Sequence, residues 1–147
     1  MVRMTKWATG AMRSARRLAE VLGVIAVLGL AGCDDPAAPY VEFNGGGFVA
    51  NYRNGTTIYG FNVKPMRQLA EGTVLEAVLD DPAGGQPIVL RETVKQPKLR
   101  YGFQTPPVRG IVKNKPYKGE IRILEAGTGK LLASYSKSFI SPLDDKD

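Results

Sequence analysis

A chain of 147 residues with 20 Lys and Arg against 14 Asp and Glu accommodates one globular domain and hardly two. It has no histidine and one cysteine, which excludes imidazole bases, Cys-His nucleophiles, His-based or Cys-rich zinc sites and an intrachain disulfide. The chain is therefore read as a non-enzyme without metal or cofactor, whose core holds by burial alone.

Residues 1–32 carry Arg3, Lys6, Arg13, Arg16 and Arg17 against one acid, Glu20, and run into the apolar stretch VLGVIAVLGLA at 21–31. This is the charged n-region and apolar h-region of a segment made to be removed. About 11 apolar residues at 1.5 Å per residue span roughly half of a ~30 Å hydrocarbon core, too little for a permanent transmembrane helix.

At its end stands Leu30-Ala31-Gly32-Cys33, which resembles the lipobox of bacterial lipoproteins. The resemblance implies cleavage before Cys33 by signal peptidase II and a covalent diacylglycerol on its thiol. It also implies a lipid-anchored protein of the bacterial cell envelope. Asp34, directly after the cysteine, resembles the signal that keeps many such proteins on the periplasmic face of the inner membrane, with the outer membrane as the alternative. Removing five cations and one anion from the 20 and 14 leaves 15 basic and 13 acidic residues. A mature charge of +2 outside the cytoplasm removes the case for nucleic-acid binding.

Residues 33–39 form a short tether, 40–141 the folded domain and 142–147 an acidic tail. Short alternating runs rich in Val, Ile, Tyr, Phe and Thr, broken by Gly, Pro, Asn and Asp, predict strands at 40–43, 48–53, 56–63, 73–80, 88–94, 99–103, 110–112, 117–124 and 131–140. Asn54-Gly55 predicts a type I′ hairpin. Residues 81–85 and 126–129 predict two further hairpin loops. Alternation is clearest at 117–123, where Lys118, Glu120 and Arg122 share the wet face and Tyr117, Ile121 and Ile123 the core face. The fold class expected is all-β, an antiparallel two-sheet sandwich of immunoglobulin or fibronectin type III character, with a small barrel as the alternative.

Tyr59-Gly60-Phe61-Asn62-Val63-Lys64-Pro65-Met66-Arg67 matches Tyr101-Gly102-Phe103-Gln104-Thr105-Pro106-Pro107-Val108-Arg109 at a spacing of 42. Two more residues of slack align 77–79 with 121–123. The expectation is a degenerate repeat of residues 57–98 in 99–141; the alternative is chance similarity in a β-rich composition. If the repeat holds, both phenylalanines are core, Pro65 and Pro107 leave their strands, and Arg67 and Arg109 follow in similar surroundings.

Gly127-Thr128-Gly129-Lys130 lacks the rest of a phosphate loop and reads as a turn. Asp80, Asp81 and Gln86 have no calcium-loop spacing and read as turn formers. The stretch 91–122 holds nine cations and two acids, and Arg109, Lys113, Lys115, Lys118 and Arg122 are the candidate face for anionic headgroups or an acidic partner. Tyr59, Phe61, Tyr101 and Phe103 are core by preference and a candidate aromatic cleft otherwise. The function expected is a binding or scaffolding subunit of an envelope complex for secretion, transport or cell-wall assembly. Its partners would be the membrane, through the anchor, and another envelope protein. The alternative is a ligand- or inhibitor-binding module directed at a polysaccharide or a host enzyme.

Overall fold

The computed structural model describes residues 37–144; the signal segment, Cys33 and the last three residues lie outside the described residues. Seven strands follow in order: β1 Val41–Asn51, β2 Thr56–Pro65, β3 Val74–Leu79, β4 Ile88–Thr93, β5 Tyr101–Gln104, β6 Pro116–Leu124 and β7 Leu131–Ile140. They form two antiparallel sheets, one ordered β1-β2-β5 and the other β4-β3-β6-β7. The sheets do not close on each other, so the architecture is a sandwich and the barrel alternative falls. The fourth strand stays beside β3, whereas an immunoglobulin constant domain carries it across to the fifth strand.

Inward residues of both sheets build one core. Tyr59, Phe61 and Val63 of β2 alternate with outward Ile58, Gly60 and Asn62, while Leu75, Ala77 and Leu79 of β3 and Ile121 and Ile123 of β6 are fully buried. Aromatic rings fill the space between the sheets. Phe61 stacks on Phe139 at 5.8 Å and meets Phe43 edge-on at 5.0 Å; Phe48 stacks on Tyr59 at 4.7 Å. Gly119 is required where the layers meet, because a Cβ there would lie 2.8 Å from Phe139 Cε2 and 3.0 Å from Phe61 Cε1.

Tyr117 stands at the start of β6, and its hydroxyl accepts a hydrogen bond from the Val112 backbone N–H at 2.8 Å. This is the tyrosine corner of immunoglobulin-like sandwiches, and it pins the chain that crosses between the sheets.

Several expected elements differ. Segments 40–43 and 48–53 are one strand, β1, with a register shift between Phe43 and Gly46 where the glycine run bulges. Residues 110–112 form no strand; the crossing makes an isolated bridge between Thr57 and Val108, and its Thr105 and Asn114 N–H groups donate to the Tyr59 and Ser141 carbonyls. The β1–β2 connection is not a two-residue type I′ turn. Asn51 pairs with Thr56 across a four-residue loop, in which Gly55 alone has positive φ and Asn54 spends its side chain on the Thr56 N–H and hydroxyl. The loops at 81–85 and 126–129 are as expected, with positive φ at Gly84, Gly127 and Gly129.

In each of two ladders the register brings one aligned pair of the sequence repeat face to face. Phe61 pairs with Phe103 in the β2–β5 ladder, 42 residues apart, and Ala77 pairs with Ile121 in the β3–β6 ladder, 44 apart. Elsewhere along the β2–β5 ladder the aligned residues do not face each other: Val63 lies opposite Tyr101 and Gly60 opposite Gln104. The likeness ends at the arginines. Arg67 lies 3.7 Å over the Tyr40 ring and donates to the Ala38 carbonyl, whereas Arg109 is exposed on the crossing segment.

Candidate functional site

Strand direction sorts the loops into two ends. The chain enters at Tyr40, and Val41 pairs with Pro65, Val63 with Tyr101, Val74 with both Thr93 and Leu124. Loops 66–73, 94–100 and 125–130 therefore lie at the entry end. The opposite end carries loops 52–55, 80–87 and 105–115. At about 3.3 Å per residue, strands of nine to eleven residues separate the ends by roughly 30 Å.

Tyr59, Phe61, Tyr101 and Phe103 all point inward and are 1 to 5% exposed. They are core and form no aromatic cleft, since at most one-twentieth of any of them meets solvent. The Tyr59 hydroxyl donates to the Asp80 carbonyl, and burial, followed by the charges of Asp80 and Asp81, pushes its ionisation far above the usual tyrosine range. Asp80 and Asp81 serve locally, accepting from the Lys118 and Ala83 backbone N–H groups.

The candidate basic face does not come together as one surface. Arg109, Lys113 and Lys115 lie on the crossing segment at the far end, exposed. Lys118 and Arg122 instead point from the outer face of β6 into a cross-strand ion network. Arg122 pairs with Glu120 at 2.7 Å and Glu76 at 3.3 Å; Lys118 pairs with Glu120 at 3.0 Å; Arg91 of β4 holds Glu76 at 2.6 Å. The Glu76 side chain is 8% exposed between its two arginines. Hydrogen bonds from Arg122, then Lys118, pull the Glu120 carboxyl down to about 2. Two of the five cations are thus paired with acids of their own sheet, Lys118 with Glu120 along β6 and Arg122 with both Glu120 and, across the ladder, Glu76.

No protein-family model matches the chain, and no curated protein matches it in sequence. The surface itself must indicate what is recognised.

Two features escaped the pattern of residues. The first is a trough of about 520 Å³ on the outer face of β1-β2-β5. Gly47 faces Gly60 across the ladder, Val49 and Ile58 flank one side, and Asn62 and Gln104 the other. Gly60 is dictated by packing, since a Cβ would run into the Phe103 carbonyl oxygen. The second feature is the loop 94–100. Residue 99 was expected to open a strand, but β5 begins at Tyr101 and Leu99 stands 93% exposed, flanked by Lys98 and Arg100. The signal was in the sequence: Pro97, which cannot donate to a ladder, lies two residues earlier.

Proposed function

We propose that this chain is a bacterial envelope lipoprotein, anchored through acylated Cys33, whose sandwich is a binding or scaffolding subunit of an envelope complex. The observation that carries this reading is the lipobox at 30–33, placed only a few residues ahead of β1. Five residues from Cys33 to Ala38 span at most about 18 Å, so an acylated Cys33 would hold the entry end close to the bilayer. The far end, which carries Tyr52, 83% exposed, and the exposed cations Arg109, Lys113 and Lys115 of the crossing segment, would then face away toward a partner. No helix among the described residues is long and apolar enough to cross a membrane. The periplasmic face of the inner membrane is the location favoured by Asp34.

The test is metabolic labelling with a fatty-acid analogue. The wild type should incorporate label and resist extraction by high salt, and Cys33→Ser should do neither and accumulate unprocessed. A wild type that takes up no label refutes the anchoring. Affinity purification from detergent-solubilised membranes should bring down a stoichiometric envelope protein. The ligand-module reading is favoured by the trough alone, where Asn62 and Gln104 flank bare backbone; Gln104→Arg should abolish binding of any small ligand recovered with the protein.

A further inference from the structure

The entry end differs from the far end in where its unpaired charge stands. Loop 66–73 balances Arg67 with Glu71, and loop 125–130 balances Lys130 with Glu125. Loop 94–100 holds Lys95, Lys98 and Arg100 and no acid. Lys98 turns back to Glu92 and lies 5.5 Å over the Tyr101 ring, whereas Lys95 and Arg100 make no ion pair among the described residues. Between these two cations in sequence, Leu99 projects with 93% of its surface in water. A single exposed leucine is ordinary on a protein surface. This one sits on a loop at the end where the tether enters, two residues before β5, and the Ala38 carbonyl, held by Arg67, fixes that entry point beside loop 66–73. A recess of about 210 Å³ joins the two loops, walled by Pro65, Leu69, Pro97 and Tyr101 with Arg67 and Lys98 as its cations.

We propose that loop 94–100 is a second membrane contact, in which Leu99 enters the headgroup boundary of an anionic bilayer while Lys95 and Arg100 rest on its phosphates. The inference rests on the anchoring of Cys33 and adds an orientation to it. A tether of this length puts the loop within reach of headgroups, and an apolar tip between two cations matches an anionic interface. The far-end cations, roughly 30 Å away, lie several Debye lengths from that surface and are not drawn to it. The contact sets the sandwich upright, with Tyr52 and the cations of the crossing 105–115 directed away from the membrane.

Acylation of Cys33 blocks the one native thiol, so Leu99→Cys or Tyr52→Cys in the full-length lipidated protein gives a single site for an environment-sensitive fluorophore. Each is reconstituted into vesicles containing about one-third phosphatidylglycerol. The label at 99 should shift to the blue and be quenched by spin-labelled lipid, with aqueous iodide excluded about fivefold or more relative to 52. Lys95→Glu with Arg100→Glu, or 0.5 M salt, should return it to water. If the protein is acylated and floats with vesicles while 99 and 52 are equally open to iodide, the loop contact is refuted and the anchor stands. If the protein carries no acyl chain and the label at 99 stays in water, both fall. Burial of 99 that is equal in pure phosphatidylcholine and insensitive to salt refutes the role of Lys95 and Arg100.

Discussion

Phe61 and Phe103 face each other across the β2–β5 ladder with ring centroids 5.8 Å apart. Their surroundings are nevertheless unequal. Phe61 also packs on Phe43 and Phe139, and Phe103 lies on a four-residue strand with one side unpaired. Phe61→Ala should therefore destabilise by about 4 to 5 kcal/mol and Phe103→Ala by about 3 kcal/mol. Urea unfolding distinguishes them; equal losses would mean that the rings around Phe61 relax to fill its cavity.

Gly119→Ala introduces one methyl between Phe61 and Phe139 and should cost about 1 to 3 kcal/mol by overpacking, with the strand backbone unchanged. Combining it with Phe139→Leu should recover part of the loss. Full additivity of the two substitutions would show that the glycine matters for another reason.

Tyr117→Phe removes the acceptor for the Val112 N–H while keeping the ring, and should cost about 1 kcal/mol in thermal or urea unfolding. Because the crossing 105–115 makes few other ladder bonds, amide exchange at Val112 should rise more than elsewhere.

Much of the fold was legible because burial here is periodic. Tyr117, Ile121 and Ile123 alternate with Lys118, Glu120 and Arg122, and the first set is buried as expected. The crossing 105–115 was not legible: Ile111 and Val112 have strand-forming side chains, but Ile111 is buried by packing and not in a ladder. The basic set misled because one-dimensional spacing carries no partner. Arg122 lies next in sequence to Ile121 and Ile123, and its partner Glu76 is 46 residues away. Leu99 was missed since its apolar side chain fits a strand pattern, and only the end at which its loop emerges gives it meaning.

The Glu120 carboxyl, held near 2 by Arg122 and Lys118, titrates in the unfolded chain near its ordinary value of about 4.5. A carboxylate with a depressed folded value adds stability above the unfolded value and loses it as pH falls toward the folded one. The melting temperature should thus drop between about pH 4.5 and 2, and Glu120→Gln should flatten that slope while lowering stability modestly at pH 7. An unchanged slope in the variant would assign the acid sensitivity to other carboxylates.

Charge reversal at the far end separates a partner surface from a membrane surface. Arg109→Glu, Lys113→Glu and Lys115→Glu together should leave the melting temperature within a few degrees, since exposed charges contribute little to stability. Vesicle association of the lipidated protein should also be unchanged, because these side chains stand a strand length from the tether. Recovery of a co-purifying envelope protein should instead fall, more at low salt than at high salt, as for steering by charges on an interface rim. Loss of vesicle association with partner recovery intact would turn the sandwich over, placing the crossing 105–115 against the bilayer and loop 94–100 away from it.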